Sequence, residues 1–276
     1  METRYSPDVD RYPRLTADEL RAGYLVRNLF QPGTVQLVYT DLDRAVLGGV
    51  VPTSQKLALG TSKELAANCF AERREIGVIN IGGKGSITVD GKGFELAKRD
   101  CLYIGRGSEQ IEFSSADPQA PARFYLVSYP AHAAHPTRLA TPAEAAAVDL
   151  GTPRDANQRT IRKYIHTGGI SSCQLVMGFT ELKEGSVWNT MPPHTHTRRT
   201  EIYLYFDVAS DAVVFHFMGG AQETRHLVVR DGEAVLSPRW SMHCGAGTGR
   251  YGFVWAMGGE NQEFTDMDQI AIRDLK

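Results

Sequence analysis

An all-β chain built from two sandwiches or barrels is what this sequence predicts, on three observations. Short apolar runs rich in Val, Ile, Tyr and Phe recur through most of its 276 residues, punctuated by Gly, Asp and Asn. Runs such as IGVINI, LYIG, EIYLYF and AVVFHFMG are too short for helices and are spaced like the strands of a sandwich or barrel. The chain also carries a weak internal repeat. Arg99-Asp100 precedes CLYI as Arg230-Asp231 precedes GEAVL, and AERREIGVI resembles HTRRTEIYL, which pairs Glu75 with Glu201.

Taken in order, the elements begin with a helix. Thr16, with Glu19 three residues on, is a capping-box signature ahead of ADELRAGYLVRNLF and predicts a helix over residues 17–30. IGVINI, SITVD, LYIG and ARFYLVSYP then supply strands of a first barrel. Between them, Gly82-Gly83-Lys84-Gly85 and Asp90-Gly91-Lys92-Gly93 lack the spacing and the strand-to-helix context of a phosphate loop, and read as hairpin turns. Residues 141–147, with Pro142 at the first helical position, predict a short second helix in an Ala/Pro-rich connector. The domain boundary falls there, giving 1–145 and 146–276. CQLVMGFTEL, EIYLYF, AVVFHFMG, HLVVRD, AVLSP and YGFVWAMG supply the second barrel.

Composition excludes several classes. The formal net charge is −2, and the pairs Arg198-Arg199 and Arg162-Lys163 are too short to form a nucleic-acid patch. METRYSPDVDRYPRL has no apolar core of a signal peptide, and no apolar stretch approaches the roughly 20 residues of a spanning helix. Cys69, Cys101, Cys173 and Cys244 are widely spaced, which predicts reduced thiols in a cytoplasmic protein.

The residues that carry chemistry are His194, His196 and Glu201, spaced H-x-H-x4-E in PPHTHTRRTEIYLYF, with His243 downstream in GEAVLSPRWSMHCG. Imidazoles at i and i+2 of a strand share one face, whereas Glu201 needs a turn or bulge to join them. Three neutral nitrogens and one carboxylate suit a divalent transition metal with positions left open for water or substrate; zinc, iron, manganese and nickel all accept such donors. Cys244, next to His243 on a strand, points the other way and is not counted as a ligand. Under the internal repeat Asn68 and Phe70 stand where His194 and His196 are, and Glu112 stands where His243 is, so the first barrel reads as metal-free.

The two metal-bearing segments resemble the paired motifs of the cupins: Gly185, His194, His196 and Glu201, then Gly232, Pro238 and His243. The spacer from Gly185 to His194 is longer than usual, and Trp240 stands where the second motif usually has glycine. More narrowly, MPPHTHTRRTEIYLYF, VFHFMGGAQETRHLVVRDGEAVLSPRWSMHCGAGT and WAMGGENQEFTDMDQIAIRDL resemble the 4-deoxy-L-threo-5-hexosulose-uronate ketol-isomerase family. YPRLTADELRAGYLV and NQRTIRKYIH extend that resemblance over nearly the whole chain. It implies a bicupin of two double-stranded β-helix (jelly-roll) barrels with few short helices, assembled as a homohexamer. It implies one Zn2+ per subunit on His194, His196, Glu201 and His243. The implied substrate is a small keto-uronate left by pectin or polyuronide lyases, 5-dehydro-4-deoxy-D-glucuronate, converted to 3-deoxy-D-glycero-2,5-hexodiulosonate.

That reaction turns a C1 aldehyde and C2 hydroxyl into a C2 ketone, and a cation beside both oxygens stabilises the charge that develops on them. Glu201 is expected to serve as ligand rather than as a detached base. The proton-transfer base is not identified by sequence; Tyr203 and Tyr205, which share strand parity with Glu201, and His216 are candidates. Arg162 and Lys163 are the expected partners of the substrate carboxylate. The polar C-terminal run GENQEFTDMD either closes the barrel mouth or makes a subunit contact. Two other readings share this ligand set: an iron-dependent cupin dioxygenase and a non-catalytic sugar-binding cupin.

Overall fold

Alternating strands with one apolar face must bury that face, and this chain does so by closing sheets against each other in two compact units. The computed structural model describes residues 1–263 and 265–276. The first unit comprises residues 1–4, 28–145 and 164–176, and the second 5–27, 146–163 and 177–276.

In the first unit a seven-stranded sheet runs Glu2–Arg4, Val35–Thr40, Val46–Val50, Phe124–Pro130, Arg74–Asn80, Cys101–Ile104, Arg138–Ala140. Its companion has four strands, Leu57–Ala58, Ile111–Ser115, Gly85–Val89 and Lys92–Leu96. In the second unit the seven-stranded sheet runs Ala146–Leu150, Arg159–Ile165, Val176–Leu182, Gly252–Gly259, Arg199–Phe206, Ala234–Ser237, Leu25–Val26. Its companion has five strands, Glu223–Val229, Val214–Gly220, Met242–Gly247, Trp188–Thr195 and Asp268–Gln269. The all-β expectation holds, and the two units repeat one strand order. No helix among the described residues is long and apolar enough to cross a membrane.

The repeat is real, but its register differs from the one read off the sequence. Glu201 lies opposite Ser237, and the equivalent pair in the first unit is Ile76 and Ile104. Ile76 therefore holds the place of Glu201, and Glu75 is one residue out of step. On a strand one residue reverses the face. Ile76 turns into an apolar interior with Leu59, Phe70, Ile104 and Ile111, while Asn68 is exposed and Glu112 reaches out to Lys56 at 3.6 Å. Glu75 turns to the other side. There its fully buried carboxylate accepts the backbone N–H groups of Cys173 (2.7 Å), Gln174 (2.9 Å) and Leu175 (2.9 Å) and the Tyr103 hydroxyl (2.9 Å).

Of the two expected helices, one is shorter than the sequence suggested and the other does not form. The first spans Ala17–Tyr24, with the capping box between Thr16 and Glu19 in place. It stops because Leu25 and Val26 pair with Val235 and Ala234 as an edge strand. Tyr12 ahead of it donates to the Met218 carbonyl at 2.9 Å and packs on Trp240 with ring centroids 5.0 Å apart, so Trp240 serves to dock the N-terminal segment. The second helix is absent. Thr141 N–H and hydroxyl both reach the Glu144 carboxylate at 2.8 Å, which closes a single turn. Ala146–Leu150 then pairs with Arg159–Lys163. One turn of helix carries the full nucleation cost with few bonds in return, and the cross-strand ladder wins.

The Glu75 carboxylate makes a stability prediction. Glu75→Ala strips an acceptor from four buried donors and is expected to cost about 3 kcal/mol or more. Glu75→Gln, which keeps one acceptor oxygen, falls between. Urea unfolding midpoints of the three proteins test this, and equal midpoints would remove the latch role.

Candidate metal centre

The strand Trp188–Thr195 places His194 directly opposite His243 of Met242–Gly247, so the two imidazoles stand on one face of the sheet. His196 follows the strand's end. Thr197 and Arg198 form the turn that the spacing demanded, closed by the Arg199 N–H on the His196 carbonyl at 3.0 Å. The chain then re-enters a sheet as Arg199–Phe206 and carries Glu201 back to the histidines. The pairing of Trp188–Thr195 is irregular between Asn189 and His194, and Thr190 there has φ 49°. Such a bulge re-aims side chains, and here Thr190, Met191 and Pro192 enter the wall of the cavity beside the donors.

One ligand atom from each of His194, His196, Glu201 and His243 lies within 4.8 Å of every other, and all four residues are buried. The Nε2 atoms of His194 and His196 are 2.9 Å apart, and those of His194 and His243 are 3.2 Å apart. Glu201 Oε2 lies 2.9 Å from His243 Nε2 and 3.1 Å from His196 Nε2. That oxygen is nevertheless without a hydrogen bond of normal geometry, despite its closeness to both nitrogens. Donors about 2.1 Å from one ion stand about 3.0–3.4 Å apart, which is close to the observed spacing. The outer nitrogens are held as well: His243 Nδ1 is 3.2 Å from Ser237 Oγ, and His196 Nδ1 is 3.3 Å from the Asp266 carbonyl and 3.2 Å from Arg199 Nη2. This donor set fits a divalent transition metal.

His194, His196 and Glu201 form part of the wall of a cavity of about 220 Å³. Tyr203, Trp255 and Met257 also line it, as do Met267 and Gln269 from the C-terminal run and Arg159. Of the three candidate bases only Tyr203 lines it; its ring centroid is 5.3 Å from that of His243. Tyr205 and His216 are bonded to each other at 2.7 Å and do not line it. Arg162 is engaged elsewhere, 3.3 Å from Glu181 and over the Phe179 ring, and Lys163 is also outside the lining. The missed cation is Arg159, in the same NQRTIRKYIH segment. Strand parity separates Arg159 and Ile161, which line the cavity, from Arg162. Within GENQEFTDMD, Met267 belongs to the wall and Phe264 lies outside the described residues. Cys244 is buried, and burial pushes its thiol up to about 12, which fits its exclusion from the ligand set.

Burial, with His243 and His196 beside it, pushes His194 down to about 2, and burial pushes His216 down to about 3. Burial raises the Glu201 carboxyl, but its contacts with His243 and His196 outweigh that and hold it well below the ordinary range. Burial first, then the Glu201 charge, holds Tyr203 well above the ordinary phenol range. The site is thus built for a neutral His194, an anionic carboxylate and an un-ionised phenol. In the unfolded chain both histidines titrate near about 6.5. Between that pH and their folded values the unfolded state binds more protons, so stability rises with pH and falls on acidification. Metal-stripped protein is expected to lose up to about 2 kcal/mol per histidine between pH 6.5 and 5. Urea midpoints across that window check this; a flat profile, or one unchanged by His216→Gln, contradicts it.

The chain is 52% identical over 276 residues to a 4-deoxy-L-threo-5-hexosulose-uronate ketol-isomerase from Shouchella clausii (strain KSM-K16), covering 100% of each. It is 54% identical over 277 residues to the enzyme of the same name from Opitutus terrae (strain DSM 11246 / JCM 15787 / PB90-1), again covering 100% of each. Among solved structures, an IolB-like protein from Salmonella typhimurium LT2 superimposes with a TM-score of 0.72 at 13% identity, covering 90% of this chain and 97% of that one. The KduI/IolB family profile matches residues 24–273. With that profile matched over most of its length and relatives matched from end to end, this chain belongs to the KduI/IolB family.

Proposed function

We propose that this chain is a metal-dependent aldose–ketose isomerase that converts 4-deoxy-L-threo-5-hexosulose uronate to 3-deoxy-D-glycero-2,5-hexodiulosonate in the breakdown of pectin or related polyuronides. The observation that carries this reading is the convergence of four buried ligand atoms within 4.8 Å, three of their residues lining a largely apolar cavity. Relatives that match the whole chain at about half identity are named for this reaction. His194, His196, Glu201 and His243 are proposed to hold one Zn2+ in the part of the chain from 146 to 276, with 1–145 forming a metal-free barrel. The proposed assembly is a cytoplasmic homohexamer, which light scattering checks.

A zinc ion held by these groups supplies Lewis acidity to the carbonyl and hydroxyl oxygens on adjacent carbons without redox chemistry of its own. The remaining work falls to the chain. Tyr203, held as a neutral phenol, is an O–H donor to a substrate oxygen rather than a base. Glu201 stays anionic and is committed to the donor cluster. Phe253, Trp255 and Met257 wall the cavity with apolar surface and limit the water that would hydrate a reactive aldehyde.

Purified protein supplied with the keto-deoxyuronate should form the 2,5-diketo acid by NMR, stop on chelation, and recover with zinc. No turnover by fully metallated protein would sink the reading, and oxygen uptake with iron would redirect it. His243→Ala should lose about 10³-fold or more in kcat together with bound metal. Tyr203→Phe should keep its metal and lose about 10–100-fold in kcat, and an unchanged kcat would remove the hydroxyl from the chemistry.

A further inference from the structure

Among the described residues of the cavity wall only two side chains carry a full charge at neutral pH, Glu201 and Arg159. Glu201 is taken up by the histidines. Arg159 has no carboxylate partner among the described residues; Nη1 donates to the Asn157 carbonyl at 2.9 Å. The contrast with Arg162, three residues on and 3.3 Å from Glu181, is direct. A half-buried guanidinium with no counter-charge, facing an apolar cavity, is costly to the folded state unless an anion completes it. Its planar fork fits one carboxylate through two parallel bonds.

One cavity of about 220 Å³ is lined by Arg159 and by His194, His196 and Glu201, so a single small ligand held in it meets the cation and the donor cluster together.

We infer that Arg159 is the specificity-determining anchor for the C6 carboxylate of the substrate, holding a linear hexuronate so that its C1–C2 end meets the four-donor cluster. This assignment rests on the isomerase reading and names which residue makes it selective for acids. The anchor is missing from neutral sugars of the same length, and a site that leaves its buried cation unpaired discriminates strongly against them.

The test compares zinc-loaded wild type, Arg159→Gln and Arg159→Lys on the keto-deoxyuronate and on its C6 amide. Wild type should favour the acid over the amide by about 30-fold or more in kcat/KM. Arg159→Gln should raise KM for the acid by about 30-fold while leaving the amide within about threefold, and Arg159→Lys should fall between. Zinc content should match wild type in both variants. Acid and amide falling together, or a KM for the acid within about twofold of wild type, overturns the anchor. Should Arg159→Gln fail to fold, wild type decides alone: equal kcat/KM for acid and amide overturns it. Should wild type turn over neither compound, the isomerase reading fails separately. Calorimetry of wild type with D-galacturonate and its amide then judges the anchor, equal affinities counting against it.

Discussion

The site depends on one constraint: four electron-rich atoms must be withdrawn from water together and held within 4.8 Å although they repel one another. Each is costly to bury alone. Strand register makes the arrangement possible. His194 and His243 face each other because two strands pair at that rung, and Glu201 joins them because a short turn returns the chain in the neighbouring sheet. Ser237, opposite Glu201 across its own ladder, lies against His243 and fixes its outer nitrogen. A ladder slipped by one residue would turn the donors outward and apolar side chains toward the ion.

The first unit shows the same scaffold without that constraint. Its strand order is the same, and where Glu201 stands in one barrel Ile76 stands in the other, within a continuous apolar core. The carboxylate one residue earlier is used differently. Glu75 gathers three consecutive backbone N–H groups from the segment 173–175 and so ties down a loop. One architecture has used buried carboxylates in two ways: as a member of a donor cluster, and as a clamp on main chain.

Much of this was legible in the sequence because strand alternation is strict. H-x-H announced a shared face, the four-residue gap before Glu201 announced a turn, and both are present. The strands fell where the apolar runs lay. What failed did so where parity or competition decided. Glu75 was aligned with Glu201 by residue type, and only pairing register separates it from Ile76. Arg162 and Lys163 were expected at the cavity and Arg159 was missed because nothing in NQRTIRKYIH says which face of its strand looks inward; that is fixed by the sheet it joins. Residues 141–147 carried helix-start signals that were correct as far as one turn, and pairing with Arg159–Lys163 claimed the rest.

The placement of Tyr12 and Trp240 bears on synthesis. Residues 5–27 are synthesised more than 200 residues ahead of Ala234–Ser237, the strand with which Leu25 and Val26 complete a sheet. Residues 164–176, made after the connector, cluster with the first unit. The segment 5–27 must therefore wait for that partner strand, while the first barrel closes only after the second has begun to emerge. Its charged, strongly capped helix is well suited to that interval, since it remains compatible with water until Trp240 arrives.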